Sequence, residues 1–131
     1  MTMQYKLKKE TKPTLSTFGK YKVVASHHQT IETEQLIREL ARMGHDEGAV
    51  TAILTDLGNA VSSHLRNGDK VRLEKWGLLK LEIESEKVDS PEQFNPRKHI
   101  RGVRLHFLPE CKKGKPELYS GIRFREEKQL T

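Results

Sequence analysis

Two segments near the start of the chain alternate apolar and polar residues with a period of two. They run from Met3 to Lys8 and from Lys20 to Ser26, with Pro13 between them. This period is typical of half-buried strands, so the sequence predicts two extended segments with their lysines on one side. The apolar positions are Met3, Tyr5, Leu7, Tyr21, Val23 and Ala25.

From Thr30 the apolar period becomes helical. A first helix is predicted over about residues 32–43 and ends at Gly44. A second begins after Asp46, a good N-cap residue, and ends at Asn67-Gly68. Its apolar stripe is wide for one short neighbouring helix, which favours packing against a second copy in a dimer. The alternative is a helix buried inside a monomer.

Strand-like alternation returns after the second helix. Val71 to Ile83 predicts a hairpin interrupted at Trp76-Gly77, and Val103 to Phe107 a returning strand that Pro109 ends. The polar segment from Glu84 to His99 predicts a loop or mobile arm. A last short strand is expected over Tyr119 to Phe124. The order of elements makes the fold class α+β.

Composition allows one domain with little apolar material for a core, since 34% of the 131 residues are hydrophobic and 32% are charged. The formal net charge of +6 is unevenly distributed. Residues 1–26 and 96–125 are strongly basic, whereas residues 27–95 are acidic. This favours a cationic surface for a polyanion, although a solvated surface explains charge alone equally well.

Several classes of function lack support in the sequence. No apolar run is long enough to span a membrane, and no signal peptide is visible, so a cytoplasmic location is expected. Cys111 is a lone cysteine, and the six histidines have no ligands at metal-binding spacing. No catalytic group, metal, cofactor or small-molecule substrate is therefore predicted, and an enzyme is not expected.

The segment Leu65 to Leu81, Leu-Arg-Asn-Gly-Asp-Lys-Val-Arg-Leu-Glu-Lys-Trp-Gly-Leu-Leu-Lys-Leu, resembles part of the bacterial HU and integration host factor family. There a Gly-Asp/Glu-Lys-Val turn leads into Gly-Phe-Gly and an outgoing arm strand. Glu34 to Ile37 looks like the first helix of that family, and Val103 to Phe107 like the strand returning from the arm. The basic extension is similar to the extended HU-like proteins of Bacteroides-type bacteria.

The resemblance implies an intertwined dimer, two helices per chain, and β-arms that reach round duplex DNA and bend it. This sequence departs from the pattern in three ways. Lys75 and Trp76 replace the first Gly and the Phe of the corner. Glu82, Glu84 and Glu86 stand where the family has arginines. The arm-tip proline is either Pro96 or Pro91, or both are ordinary loop residues.

The leading hypothesis is a non-enzymatic, nucleoid-associated protein that binds double-stranded DNA with little sequence preference, as a homodimer or with a related subunit. The rival is an HU-fold protein-interaction module without DNA, suggested by the acidic arm. The predicted DNA-binding residues are Arg72, Lys75, Trp76, Gly77, Pro96, Arg97, Lys98, Arg101, Arg104, Lys112, Lys113 and Lys115.

The expected division is an N-terminal extension over 1–28, the HU-like domain over 29–125 and a frayed tail over 126–131. The extension is either a second DNA contact added at the edge of the HU-like sheet, or an edge whose lysines merely prevent aggregation.

Overall fold

The computed structural model describes residues 1–127 and has mixed α and β structure, which confirms the predicted α+β class. One packed unit comprises Met1–Glu32 and the segment that begins at Tyr119, and the other is Thr33–Leu118. The predicted tail lies outside the described residues from position 128 onward. The elements are β1 (Thr2–Lys9), β2 (Tyr21–Ala25), α1 (Thr33–Arg42), α2 (Glu47–Arg66), β3 (Val71–Leu73), β4 (Gly77–Ser85), a 3-10 helix (Pro91–Gln93), α3 (Pro96–His99), β5 (Ile100–Pro109), β6 (Cys111–Lys112), β7 (Lys115–Pro116) and β8 (Arg123–Glu126).

The first unit is built on a three-stranded sheet in the order β2-β1-β8. The two predicted N-terminal strands are confirmed, but β1 lies at the centre of its own sheet, antiparallel to β2 and parallel to β8. The expectation that these strands extend the edge of the main sheet is therefore wrong. The last strand also differs from the prediction, because residues 119–121 form a turn in which Gly121 has a φ of +74°.

The second unit contains the two predicted long helices. Asp46 caps α2 as expected, since its carboxylate accepts a hydrogen bond from the Ala49 N–H at 2.8 Å. The α2 C-terminus is closed by backbone hydrogen bonds from Asn67, and Gly68 follows with a φ of +90°, a conformation that favours glycine. Local sequence chemistry thus sets both ends of α2.

The second unit also contains the antiparallel sheet β3-β4-β5, in which β4 and β5 form a long two-stranded arm. The segment from Glu84 to His99, predicted as a loop or mobile arm, is a connection at the end of the arm that contains more regular structure than expected. Strand β4 continues to Ser85, and the 3-10 helix and α3 follow. Short helical turns begin at Pro91 and Pro96 because the fixed φ of proline suits the first turn of a helix.

No hydrophobic side chain among residues 1–127 is buried. In the second unit, α2 and the sheet instead border an apolar groove of about 440 Å³ that is open to solvent. Leu57, Trp76 and Leu105 on this groove are 40%, 55% and 57% exposed. Full burial of one Leu-sized side chain contributes about 1.5–3 kcal/mol. Covering the groove would therefore stabilise the protein considerably. Its apolar lining is Leu54, Leu57, Val61, Leu65, Leu73, Trp76, Leu79, Leu81 and Leu105.

Candidate functional site

The two faces of the arm differ in chemistry. Directly opposite residues of an antiparallel pair share a face, so the register of β4 and β5 separates the side chains into two sets. One set is apolar and includes Ile83 and Val103, which are 66% and 61% exposed. The other set has Leu78 and Leu108 at the end near the corner and is otherwise mainly charged, with Lys80, Glu82, Glu84, Arg104 and His106 along it.

Glu82 is the centre of the charged face. Its carboxylate accepts a hydrogen bond from Arg104 Nη2 at 3.1 Å and lies 3.7 Å from Lys80 Nζ and 3.8 Å from His106 Nδ1. The Arg104 hydrogen bond, with the neighbouring positive charges, holds the pKa of Glu82 below its ordinary value. Arg104 was predicted to bind DNA, and here it is already engaged.

A second ion pair joins the two sides of the arm near its far end. Arg101 donates from Nη2 and Nε to Glu86 Oε1 at 2.7 and 3.2 Å. The hydrogen bond and charge of Arg101 lower the pKa of Glu86. Two of the three acidic residues that suggested a basic protein partner are therefore neutralised within the arm, which weakens that suggestion.

The far end of the arm is an ordered, cationic turn. The Asn95 side chain accepts a hydrogen bond from the Arg97 N–H at 3.0 Å, and the Asn95 N–H donates to His99 Nδ1 at 2.8 Å. Phe94 stacks on His99 with ring centroids 5.7 Å apart. These contacts fix Arg97 and Lys98 on the exposed surface of α3, where neither makes an ion pair among the described residues.

Pro96 begins α3, so its position is accounted for by helix geometry without a wedge between bases. The predicted role of Pro96 in DNA contact stays a prediction. Lys87 is a cation at this end of the arm that sequence reasoning missed. It lines the same polar depression as Lys98, and its place after a run of glutamates gave no signal of that proximity.

The corner between β3 and β4 places three of the predicted residues. Lys75 has a φ of +72°, the left-handed conformation that glycine adopts easily, so the lysine occupies a position suited to the glycine of the family pattern. Trp76 lines the apolar groove. A Cβ added to Gly77 would lie 2.1 Å from the Leu108 carbonyl oxygen, so glycine is required by the close approach of β5.

The remaining predicted residues lie near the end of β5. Arg72 pairs with Glu110 at 3.2 Å, and Lys112 lies 3.7 Å from Glu117. Lys113 is in the turn between β6 and β7, with a φ of +53°, and Lys115 begins β7. Arg72 and Lys112 are thus engaged with carboxylates, as Arg101 and Arg104 are on the arm.

Residues 1–127 lack two features that would indicate other kinds of site. None of the helices described is long and apolar enough to cross a membrane. Within the same residues, no three His, Cys, Asp or Glu side chains come together as metal ligands.

The helix pair, the three-stranded sheet and the long arm define an HU-type domain. The family model described as "HU domain fused to wHTH, Ig, or Glycine-rich motif" matches residues 1–127. The chain belongs to this family, HU-HIG, which confirms the resemblance seen in the sequence.

One solved structure with a similar fold is a protein from Bacteroides vulgatus ATCC 8482 described as a "Putative bacterial DNA binding protein". The TM-score is 0.65 at 10% sequence identity, with 98% of this chain covered. This chain spans about half of that one, since 50% of its length is covered. Comparison with curated proteins gives no match.

Proposed function

We propose that this protein is a non-enzymatic architectural protein that binds double-stranded DNA as an HU-type dimer, with little sequence preference, and bends it. The observation that carries the proposal is the long arm of an HU-type domain ending in the exposed cations Arg97 and Lys98. Cations that neutralise phosphates release counterions, which supplies affinity without reading bases. A nucleoid location follows from this role.

The dimer part of the proposal is supported by the open apolar groove. Helix α2 and the sheet leave Leu57 and Leu105 about half exposed in the second unit, and Ile83 and Val103 extend the apolar surface along the arm. A single copy leaves this surface in water, whereas a second copy would bury it. Homodimerisation is the simplest arrangement, because a two-fold interface uses the same patch on both subunits.

Phosphate contact by the engaged cations requires an exchange of partners. The carboxylates of Glu86 and Glu82 compete with phosphate for Arg101 and Arg104, so we expect each of these arginines to add less affinity than an unpaired cation. Lys98 and Arg97 need no such exchange. We therefore assign the first phosphate contacts of the arm to α3, and those of Arg72, Lys112 and the other predicted residues to a closer approach of the duplex.

Fluorescence anisotropy with a labelled random-sequence duplex tests the proposal between about 50 and 200 mM salt. The affinity of the full chain should fall steeply with salt and be similar for a second unrelated sequence. Arg97→Gln with Lys98→Gln should reduce the salt slope by up to about two for each bound chain. Arg38→Gln with Arg42→Gln on α1 removes the same charge away from the arm and should change the slope little.

Bending is measured in the same samples by energy transfer between dyes at the two ends of the duplex. Binding should increase the transfer efficiency, because a bend brings the ends closer. Absence of binding at the lowest salt would contradict the proposal, and binding without a change in transfer would remove the bending.

A further inference from the structure

One face of the first unit's sheet collects cations from three separate stretches of sequence. The register places Lys8 opposite Lys22, and it places Arg125 opposite Gln4 and Arg123 opposite Thr2. Opposite residues share a face and alternate residues of a strand return to it. We call this surface the basic face, and its cations are Lys6, Lys8, Lys22, Arg123 and Arg125.

The opposite face of the same sheet is largely apolar. It includes Leu7, Tyr21 and Phe124, which are exposed in the first unit, and the single cation Lys9, which lies opposite Tyr21. The sequence expectation that the N-terminal lysines share one side is therefore wrong for Lys9. The separation of charge between faces is a property of the paired sheet, and Arg123 and Arg125 join it only through β8.

The basic face is not neutralised within the described residues 1–127. None of its five cations makes an ion pair there. Two carboxylates flank it, and each accepts a hydrogen bond from a neutral donor. Glu10 Oε1 accepts from the Lys12 backbone N–H at 3.0 Å, and Glu127 Oε2 accepts from Ser26 Oγ at 2.8 Å.

Protection against strand aggregation explains isolated lysines on a sheet edge, but it does not require two of them to face each other. In the described residues Lys6 and Lys8 pair only with β2, because the ladder with β8 ends at Tyr5. Like charges placed directly opposite each other destabilise a sheet, and Lys8 faces Lys22 in this way. A bound polyanion would turn this repulsion into attraction.

We propose that the basic face is a second DNA-binding surface, which contacts the phosphate backbone of a duplex in addition to the arm. Lys8 and Lys22, the pair directly across the strands, are about 5 Å apart, and successive cations along one strand are about 7 Å apart. Duplex DNA offers phosphate charges closely enough spaced to engage several such cations at once. The inference rests on the proposed function, because the same duplex is the ligand.

The test compares two triple variants of the full chain that lose the same charge. Lys6→Gln, Lys8→Gln and Lys22→Gln remove three cations of the basic face. The matched control, Lys9→Gln, Lys12→Gln and Lys20→Gln, removes three lysines of the same unit from the opposite face and the connecting loop. The labelled duplex and salt series are those used for the arm.

The basic-face variant should lower affinity and reduce the salt slope by up to about three, and the control should change the slope by less than one. Arg123→Gln with Arg125→Gln, on a different strand, should reduce the slope by up to about two. This second variant keeps the test valid if the lysine variant fails to fold, which circular dichroism would reveal.

Equal slopes for folded basic-face variants and the control would overturn the inference while leaving DNA binding by the arm intact. The inference would also be overturned if only the Arg97 and Lys98 variant had a reduced salt slope. Failure of the unaltered chain to bind duplex would overturn the proposed function and this inference together.

Discussion

The cations of the arm and those of the basic face differ in what surrounds them. On the arm, Arg101 and Arg104 each donate hydrogen bonds to a glutamate of the facing strand or its end. On the basic face, Lys8 and Lys22 face each other, and no carboxylate within the described residues forms an ion pair with them. Charge counted along the sequence therefore does not measure how readily a region binds phosphate.

The two regions differ in their electrostatic cost before DNA arrives. On the arm, Arg101 and Arg104 already have carboxylate partners that would compete with phosphate. The basic face keeps its cations in water, where solvent and salt screen their repulsion. We therefore expect DNA binding by the basic face to need less rearrangement of side chains than DNA binding by the paired arginines of the arm.

The largest expected effect comes from placing a charge in the apolar groove of the second unit. Val61→Asp places a charge on the apolar lining of α2 and should abolish the dimer, at a cost of about 3–5 kcal/mol for an uncompensated buried charge. DNA affinity should fall with the dimer. Asn59→Asp adds the same charge to α2 outside the groove lining and serves as the control. A Val61→Asp protein that still sediments as a dimer would contradict the assignment of the groove.

Removing the arm carboxylates should make the arm behave more like the basic face. Glu82→Gln with Glu86→Gln leaves Arg104 and Arg101 without their charged partners. The variant should bind duplex more tightly, with a salt slope larger by up to about two, because two more cations are available to phosphates. Glu32→Gln with Glu34→Gln, near the start of α1, removes the same charge elsewhere. Weaker binding by the arm variant would show that its ion pairs position the arm for DNA.

Variants of Lys75 test whether its backbone conformation lowers the free energy of unfolding. Its φ of +72° is unfavourable for a side chain, so Lys75→Gly should raise the free energy of unfolding by about 1 kcal/mol. Lys75→Gln removes the charge and keeps the strained backbone. If Lys75 contacts phosphate, both variants should reduce the salt slope by about one, whereas only the glycine variant should be more stable in urea. Equal stability of the two would contradict the strain.

The smallest expected effect is on a single titration. Arg101→Gln should raise the pKa of Glu86 toward its ordinary value, because the hydrogen bond and charge that lower it are removed. A lowered folded-state pKa stabilises the arm at pH above the ordinary carboxyl range, and this stabilisation is lost as the pH falls through the lowered value. Carboxyl NMR titration measures it, with Lys8→Gln as a control that should leave Glu86 unchanged.

Local patterns predicted the elements well where chemistry lies within a few residues. The Asp46 cap, the β1 and β2 alternation and the Trp76-Gly77 corner are of this kind. The helical turns at the far end of the arm were not predicted, because the polar segment there has no hydrophobic period. Its order comes from hydrogen bonds of Asn95 and from the stacking of Phe94 on His99.

The candidate site depends on pairings that are distant in sequence. Nothing near Arg104 shows that it faces Glu82, and nothing near Arg125 shows that its strand runs parallel to β1. The acidic arm residues suggested a protein-interaction module, but two of them are partners of arginine in the structure. The same limitation hid Arg123 and Arg125, which join the N-terminal lysines on the basic face only through the pairing of β8 with β1.

Sedimentation equilibrium of the full chain with a short labelled random-sequence duplex at low salt tests whether an HU-type dimer binds duplex DNA. The protein alone should have the mass of two chains, and the labelled duplex should gain the mass of two chains. A protein that remains monomeric, or a duplex that sediments with its own mass in the presence of excess protein, would contradict this expectation.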